Sequence, residues 1–218
     1  VCADADIDLA ADAVADALCL TCGQRCNATS RVLVDGRIAR PFEERLLASL
    51  RRYQPGDPLL PTTTLGPLIS QAAVERYSNL INATADWILP GSIPGAAGEK
   101  RGHYVTPAVR RGIAETETEP FSPVLEIESF TDLDDAVTRA NDTPFGLAAS
   151  VFTGDASLFA KLADEIEAGN IYANLPTTFS PSALPFGGFG QSGNGRPGGR
   201  GFIRFTTREQ ALQWREWR

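Results

Sequence analysis

The stretch CLTCGQRCNATSRVLV, Cys19–Val34, joins a predicted helix to a predicted strand and contains three of the four cysteines of the chain. Upstream, from residue 4 to about residue 22, apolar residues recur at helical spacing. Gly23 interrupts that pattern, and the apolar run RVLV at the end of the stretch is typical of a short buried strand. The stretch therefore predicts a helix, a sharp turn that leads to Cys26, and a strand.

Strand and helix patterns alternate through most of the chain after this stretch. In PVLEIESF, residues 123–130, apolar residues alternate with glutamates, which predicts a half-buried strand. Ser70 is predicted to cap a helix, and Thr131 or Asp132 to begin another. Further helices are predicted at 42–53 and 158–166, and further strands at 87–89, 104–109, 148–153 and 171–173. This alternation predicts an α/β domain with a largely parallel sheet.

Regular patterning stops between residues 174 and 201, where Pro, Gly, Ser and Thr predominate. A long irregular stretch inside a compact domain usually forms a functional surface. Within it, Gly188–Gly193 matches the GxGxxG pattern of dinucleotide-binding turns. Such a fingerprint follows a strand and opens a helix, whereas the residues after Gly193 are rich in helix breakers. We therefore expect no dinucleotide to bind at this turn.

Composition restricts the class of protein and its partners. The formal net charge of −7 argues against binding to nucleic acid or to an anionic membrane, because phosphates require a basic footprint. No apolar run approaches ~18 residues, the length that spans a bilayer. Four cysteines are too few for a disulfide scaffold, which favours a reducing, cytoplasmic setting. The absence of any Met indicates that the chain is a piece of a longer one.

The cysteine cluster allows several interpretations. A structural zinc site needs four N or S ligands, but only Cys19, Cys22 and Cys26 are close together, and the single histidine, His103, is distant in sequence. We therefore expect no metal, and a cytoplasmic setting disfavours a disulfide. The first two cysteines are interpreted as small buried hydrophobes. Cys26 is the candidate nucleophile, because Arg25 places a cation beside it and the turn exposes N–H groups for an oxyanion.

The segment CLTCGQRCNATSRVLV resembles the nucleophile segment of the aldehyde dehydrogenase superfamily, with a Gly-Gln-x-Cys core and a strand after it. Further segments resemble that family's motifs in the same order and together cover essentially the whole chain. They are LGPLIS (65–70), GHYVTPAV (102–109), EPFSPVLEIESF (119–130), RANDTPFGLAASVFTGD (139–155), AGNIYAN (168–174) and LPFGGFGQSGNGR (184–196). The resemblance implies a three-layer α/β/α catalytic domain over residues 1–207, and a tail, 208–218, that forms a strand in a homo-oligomer.

The resemblance also implies a reaction and a cofactor. Cys26 would attack a small-molecule aldehyde to give a thiohemiacetal, and hydride transfer to NAD or NADP would leave a thioester for hydrolysis. Glu119, in the Glu-x-Phe position, would bind the nicotinamide ribose, and Phe121 would pack near the nicotinamide. Without the resemblance, Glu119 would be interpreted as a solvated acid of the run ETETE, and Phe121 as a core aromatic.

Four more residues are assigned to the substrate pocket by the same resemblance. Phe186, in Pro-Phe-Gly-Gly, would line the substrate tunnel, with Phe179 as a further candidate for its wall. Asn174 would end a strand beneath the active site, and Arg25 would lie beside the thiol. Arg110, Arg111 and Arg196 are candidates to meet a substrate carboxylate, and the sequence selects none of them.

The chain departs from the family pattern in two ways. Ser122 stands where the family usually has Gly after the Phe, and Cys19 stands where an apolar residue is usual. In the family, the dinucleotide-binding domain, the general-base Glu and the Asn of the oxyanion hole lie N-terminal to this region. We therefore expect the chain to be the C-terminal, catalytic part of a longer enzyme and not to complete a catalytic cycle alone.

The substrate is inferred from a subgroup likeness. The GQRC core, the NLPTT stretch and the GNGRP turn resemble semialdehyde dehydrogenases of amino-acid breakdown, and most of all the succinylglutamate-semialdehyde type. The alternative is a relative without catalytic activity, kept as a binding or assembly module with an idle thiol. An intact Gly-Gln-x-Cys core with Glu119 retained favours the enzyme.

Overall fold

The first helix, turn and strand follow the predicted order. A computed structural model describes residues 1–94, 102–112, 119–193 and 195–216 of the chain. Helix α1 (Ile7–Cys19) is linked by a 3₁₀ turn (Leu20–Gly23) to strand β1 (Arg31–Asp35). The Asp6 carboxylate caps α1 by accepting a hydrogen bond from the N–H of Leu9. The helix was predicted to reach about residue 22 but ends at Cys19, because the next turn contains left-handed residues.

The remaining elements confirm the predicted alternation. Ser70 and Asp132 cap helices as predicted, with their side chains accepting hydrogen bonds from the first turn. The elements are α2 (Ala39–Leu50), α3 (Gln71–Ile81), β2 (Asp86–Leu89), β3 (Ala108–Arg111), β4 (Val124–Phe130), α4 (Leu133–Asn141), β5 (Phe145–Gly146), β6 (Ala148–Val151), α5 (Ala156–Glu165), β7 (Asn170–Ala173), β8 (Phe189–Gly190) and α6 (Phe202–Thr206).

The strands form one four-stranded sheet and two strand pairs. The larger sheet has the order β1-β4-β3-β2, in which β4 is parallel to both neighbours and β2 is antiparallel to β3. Strands β6 and β7 form a separate parallel pair, and β5 and β8 form a short antiparallel one. The prediction of an α/β fold with a largely parallel sheet is therefore confirmed.

The main core lies between the four-stranded sheet and helices α1–α3. Side chains on alternate positions of β1, β3 and β4 point to this face, and they include Val32, Val109, Leu125 and Ile127. The opposite face carries the glutamates of β4, and α4 lies over it, with Arg139 donating a hydrogen bond to Glu128. Helices therefore lie on both faces of the sheet, as the three-layer prediction requires.

Several boundaries differ from the sequence-based prediction. The strand predicted at 104–109 begins only at Ala108, so His103, which was expected to begin a strand, lies in a loop where its carbonyl accepts from the N–H of Leu68. The irregular stretch 174–201 contains the short strand β8, which the sequence did not indicate because two residues are too few to show a period. Burial alternates along β4 at Leu125, Glu126 and Ile127, as predicted.

The C-terminal tail carries no helix or strand over Arg208–Glu216, and its side chains are exposed. Its Leu212 and Trp214 are among the exposed large hydrophobic residues, and the last two residues lie outside the described part of the chain. A role for the tail as an oligomerisation strand stays a prediction, as does the division at residue 207. Across the described ranges, no helix is both long and apolar enough to cross a membrane.

Candidate active site

The turn between α1 and β1 holds Cys26 and has an unusual backbone. Thr21, Cys22 and Gly23 have φ values of 54°, 55° and 69°, so three successive residues occupy the left-handed region. Such conformations are costly for residues other than glycine and persist where the surrounding structure enforces them. The N–H of Gln24 donates a hydrogen bond to the Thr21 carbonyl and closes this turn. A second turn follows, in which the N–H of Ala28 donates to the Arg25 carbonyl.

Gly23 fixes this turn against the start of β4. A Cβ atom at this position would lie 2.5 Å from both the carbonyl carbon and the oxygen of Ser122, and 2.8 Å from the nitrogen of Pro123. Glycine is therefore required both for its positive φ and for close approach to another backbone. Ser122, where the family usually has Gly, is buried, and its backbone is the surface against which the turn packs.

Gln24 joins the turn to a second motif of the chain. Its side-chain oxygen accepts a 2.8 Å hydrogen bond from the N–H of Ile69. Its amide nitrogen donates to the carbonyls of Thr21 and Pro67, at 3.1 and 3.4 Å. The Gly-Gln core and the LGPLIS segment were singled out separately in the sequence, and this side chain connects them. Gln24 is thus a positioning residue for the loop that presents Cys26.

The residues after Cys26 are held by the irregular segment that follows β7. The Thr177 hydroxyl donates to the Asn27 carbonyl at 2.8 Å and lies 2.8 Å from the hydroxyl of Thr29. The Asn27 side-chain amide donates to the Ser180 hydroxyl at 3.1 Å. Asn27 and Thr29 are buried, so these contacts satisfy the Asn27 carbonyl, the Asn27 side-chain N–H and the Thr29 hydroxyl away from water. About 150 residues of chain separate the two segments, and only the fold brings them together.

The four cysteines are all free, and they divide into one exposed and three buried thiols. Cys19 and Cys22 pack in the main core, as predicted, and burial raises the pKa of both, that of Cys22 to about 12. Burial also raises the pKa of Cys2, which packs with Val151. Cys26 is exposed. Since the thiolate is the reactive form, three of the four thiols are protected from reaction.

A cavity of about 1060 Å³ opens beside Cys26. Its lining includes Cys26, Asn27, Glu119, Pro120 and Thr177, and from there it extends to the facing edges of β1 and β6. Glu119 is half-buried, and burial raises the pKa of its carboxyl. A hydroxyl group that donated to this carboxylate would compensate for part of the lost hydration.

The other predicted site residues do not line this cavity. Phe121 is 41% exposed and has a φ of 43°, so its ring is not part of the core. Phe179 is exposed and packs edge-to-face on Tyr172, with ring centroids 6.2 Å apart. Among the described residues, the lining contains Cys26 and Glu119 but not Arg25, Phe121, Asn174, Phe179 or Phe186.

Asn174 has a structural set of contacts. Its side-chain oxygen accepts from the N–H of Thr153 at 3.0 Å, and its amide nitrogen donates to the Thr153 carbonyl at 2.9 Å. Its φ of 53° turns the chain away from β7 toward the segment that contacts Asn27. The Asp4 carboxylate accepts hydrogen bonds from the hydroxyl of Thr153 and from the N–H of Gly154. Asn174 therefore holds the end of β7 to the end of β6.

The three arginine candidates for a substrate carboxylate already have partners. Arg110 is buried, pairs with Glu126 and stacks on the ring of Trp87 at 5.8 Å. Arg111 pairs with Glu43 and Asp86. Arg196 donates to the carbonyls of Gly188 and Gly195, at 3.0 and 2.9 Å, and closes the turn at the end of the irregular stretch. These arginines stabilise the fold.

The GxGxxG turn adopts the geometry expected for a structural turn. Phe189 and Gly190 form β8, which pairs with β5, and the N–H of Gln191 donates to the Pro144 carbonyl. The next helix, α6, begins only at Phe202, so no helix N-terminus faces the turn. Within the ranges that the structure describes, no three His, Cys, Asp or Glu residues are grouped as metal ligands would be.

Sequence reasoning missed the residues that position the thiol. Gln24 was recognised only as part of a motif, and the NLPTT stretch, which contains Thr177, only as a mark of a subgroup. The sequence signal that could have pointed to Gln24 was its position two residues before the candidate nucleophile Cys26. The partners themselves lie 43 to 153 residues away in sequence, beyond any local pattern.

The sequence of the chain is similar to those of known proteins. A family model described as "Aldehyde dehydrogenase family" matches residues 1–212. The 4-trimethylaminobutyraldehyde dehydrogenase of Rattus norvegicus is 37% identical over 198 residues, which cover 86% of this chain and 40% of that protein. The betaine aldehyde dehydrogenase of Brucella anthropi is 34% identical over 204 residues, covering 90% of this chain and 42% of the other. The chain thus spans about two fifths of the length of these relatives.

Solved structures share the fold. The NAD-dependent aldehyde dehydrogenase from Sinorhizobium meliloti superposes with a TM-score of 0.85 at 36% sequence identity, covering 92% of this chain and 40% of that one. Both matches therefore extend over nearly all of the chain, and the family match includes the turn that carries Cys26. The chain belongs to the aldehyde dehydrogenase family.

Proposed function

We propose that this chain is the catalytic part of an NAD(P)-dependent aldehyde dehydrogenase in which Cys26 is the nucleophile. The observation that carries the proposal is the state of the thiols: Cys26 is exposed at a cavity, and the other three cysteines are buried. The turn that presents Cys26 is held on one side by Ser122 and on the other by Thr177. Family membership supports aldehyde oxidation as the reaction, and the arrangement of the four thiols supports Cys26 as the nucleophile.

The reaction proceeds by covalent catalysis. The Cys26 sulfur forms a bond to the aldehyde carbon, and the carbonyl oxygen becomes an oxyanion that backbone N–H groups of the turn stabilise. Hydride leaves that carbon, so that a thioester remains on the sulfur. Water then attacks the thioester, which releases the carboxylate product and restores the thiol. The resemblance assigns the base for this water to a more N-terminal part of the enzyme.

The residues present fit one end of a nicotinamide dinucleotide. A nicotinamide bound here would accept the hydride. The half-buried Glu119 carboxylate faces the same cavity as Cys26 and can accept hydrogen bonds from ribose hydroxyls. The exposed ring of Phe121, two residues further on, offers an apolar contact for the cofactor. The choice between NAD and NADP belongs to residues outside this region.

For the substrate we propose an aldehyde derived from an amino acid, such as succinylglutamate semialdehyde. The likeness of the GQRC core, NLPTT and GNGRP supports this class. Arg25 is the cation next to Cys26 in the turn, and it would attract a substrate carboxylate toward the thiol. A comparison of kcat/KM for succinylglutamate semialdehyde and the cationic betaine aldehyde, in the enzyme that contains this chain, tests the class. Preference for the cationic aldehyde would refute it.

Thiol labelling tests the assignment of the nucleophile. We expect iodoacetamide to modify Cys26 at least 100-fold faster than Cys22 at pH 8, because Cys22 is buried and its pKa is raised to about 12. Peptide mapping at successive times gives the rate for each cysteine. In the longer enzyme, labelling should parallel the loss of aldehyde oxidation, and bound NAD+ should change the rate at Cys26.

Two variants separate catalysis from assembly. Cys26→Ser should abolish aldehyde oxidation with little change in melting temperature, because the side chain is exposed. Cys22→Ala, the matched control, removes a buried thiol and should lower stability while leaving the reaction intact. If Cys26→Ser retains activity, the thiol is idle, and the domain is better described as an assembly module of aldehyde dehydrogenase fold. Homo-oligomer formation and a cytoplasmic location remain predictions.

A further inference from the structure

An acceptor beside the candidate nucleophile lacks a donor. Among the residues that the structure describes, the side-chain oxygen of Asn27 is buried and has no hydrogen-bond partner. Only 4% of this residue is exposed, and it follows Cys26 directly in the chain. A buried amide oxygen without a donor loses its hydration without compensation, and folded proteins satisfy most such atoms. The orphaned oxygen therefore points to a donor that arrives from outside the chain.

The other polar atoms of Asn27 are held by the segment after β7. The Thr177 hydroxyl donates to its backbone carbonyl at 2.8 Å, and its side-chain nitrogen donates to the Ser180 hydroxyl at 3.1 Å. The Ser180 hydroxyl is in turn hydrogen-bonded to that of Tyr172. A hydroxyl has one proton to donate and two lone pairs, so Ser180 can donate to Tyr172 while it accepts from Asn27. These contacts direct the amide nitrogen toward Ser180 and leave the oxygen for another partner.

The cavity beside the thiol gives such a partner a route to this oxygen. Asn27 and Cys26 both line the cavity, so a group bound there lies close to both residues. The oxygen itself is closed to bulk water. A donor that reaches it from the cavity would therefore meet little competition from solvent, and a hydrogen bond is stronger in such surroundings.

The contacts of Asn27 lie on the side of the turn away from the proposed cofactor. The loop that carries Glu119 meets the turn where the backbone of Ser122 packs against Gly23. Asn27 is bonded instead to the segment after β7, through Thr177. The donor on this second side therefore belongs to the substrate and not to the nicotinamide.

We propose that Asn27 determines substrate specificity, because its side-chain oxygen accepts a hydrogen bond from an amide N–H of the aldehyde. The inference rests on the proposed function, in which Cys26 attacks that aldehyde, and it narrows the substrate to N-acylated amino aldehydes. A neutral amide fits better than an ammonium group, because Arg25 carries a positive charge next to the thiol. A quaternary ammonium aldehyde such as betaine aldehyde has no N–H to donate.

A buried acceptor of this kind discriminates through the substrate that it rejects. When a substrate without a donor binds, the acceptor stays unpaired in the complex, and this cost lowers kcat/KM. An ester has nearly the same shape as an amide, but its bridging oxygen carries no proton and would turn lone pairs toward the Asn27 oxygen. The amide and the ester of one aldehyde are therefore a matched pair of probes.

The test compares kcat/KM for γ-acetamidobutyraldehyde and γ-acetoxybutyraldehyde in the enzyme that contains this chain. The amide nitrogen of the first probe is as far from the aldehyde carbon as that of succinylglutamate semialdehyde. We expect a preference of at least about tenfold for the amide. Asn27→Leu has a similar shape without an acceptor, and should bring the two values within about twofold of each other. Asn27→Asp is the matched control: it keeps an acceptor and should keep the preference.

Two results would overturn the proposal. One is equal kcat/KM for the two probes in the unaltered enzyme. The other is an unchanged preference in Asn27→Leu with kcat lowered alike for both probes, which would assign the side chain to the attacking water or to the thiol. If Asn27→Leu does not fold, Ser180→Ala is the second variant. It releases the amide group and should reduce the preference at least about twofold, whereas an unchanged preference would contradict the proposal.

A simple aldehyde separates failure of this inference from failure of the proposed function. Hexanal has no nitrogen and no ester, so its oxidation depends on Cys26 but not on a donor to Asn27. An enzyme that oxidises hexanal but not the amide probe contradicts the role of Asn27 alone. An enzyme that oxidises none of the three aldehydes refutes the proposed function, and the inference fails with it.

Discussion

The four-stranded sheet and the β6–β7 pair form two sides of the molecule that are built with very different amounts of buried apolar surface. On one side, β1–β4 pack against α1–α3 around large side chains that are fully buried, among them Phe42, Leu46 and Tyr77. On the other, β6 and β7 pack with α4 and α5, and the buried cluster contains only Cys2, Val151 and Leu162. One of those three comes from the N-terminus.

This difference bears on the candidate site, which takes residues from both sides. Cys26 and Gln24 belong to the larger side, where Gly23 and the LGPLIS segment hold the turn. Thr177, which lines the cavity, and Asn174, which holds the end of β7 to the end of β6, belong to the smaller side. Regions with few buried apolar contacts open at lower free energy. The nucleophile is thus on the more stable scaffold, and the facing wall is on the less stable one.

Large-to-small substitutions in the two cores should give the largest contrast. Phe42→Ala should lower the free energy of unfolding by about 4 kcal/mol, because it empties a fully enclosed site. Leu162→Ala should cost about 2 kcal/mol, because Leu162 already borders the cavity and has fewer neighbours to lose. Urea unfolding measures both. Equal losses would show that the two sides are equally well packed, and the comparison would fail.

Two glycines of positive φ give the next contrast. Gly23→Ala should cost about 3 kcal/mol, because the new Cβ meets Ser122 in addition to the backbone strain. Gly112→Ala, with a φ of 85° and no atom of the described residues within 4 Å of the new Cβ, should cost only about 1 kcal/mol. Thermal unfolding of both variants, with the rate of Cys26 labelling, checks this. Similar losses would mean that the contact with Ser122 contributes nothing.

Removal of the link between the two sides should have a smaller and local effect. Thr177→Val keeps the size of the side chain but removes the hydroxyl that bonds to Asn27 and Thr29, and should cost about 1 kcal/mol. It should also increase hydrogen exchange around Asn27. Thr178→Val, one residue further on, is the control and should change neither quantity. No difference between the variants would argue against the link.

The smallest predicted effect is a pH dependence from the amino group of Val1. Burial lowers its pKa below the ordinary value of 8.0, so the folded state binds fewer protons than the unfolded state in the range just below pH 8. Stability should therefore rise as the pH approaches 8 from below and fall again on acidification through that range. Melting curves of the 218-residue chain and its N-acetylated form measure the effect, and only the free amine should show it.

Local pattern was sufficient for most elements of the fold. Helical spacing indicated α1, and the alternation of Leu125 and Ile127 with glutamates indicated β4. Capping by Ser70 was predicted correctly because a cap depends on residues within one turn. The predictions were wrong where the boundary depends on distant contacts, as at the strand that begins at Ala108, or where the element is too short to show a period, as at β8.

The sequence by itself determined the alternation of helices and strands, the family motifs and Cys26 as the candidate nucleophile, because these depend on neighbouring residues and their order. Only the tertiary structure decided that Gly23 packs against the backbone of Ser122, and that Gln24 and Thr177 hold the turn of Cys26 through contacts with Ile69 and Asn27. Burial and backbone contact arise between residues far apart in the chain, and the spacing of side chains along the sequence carries no record of them.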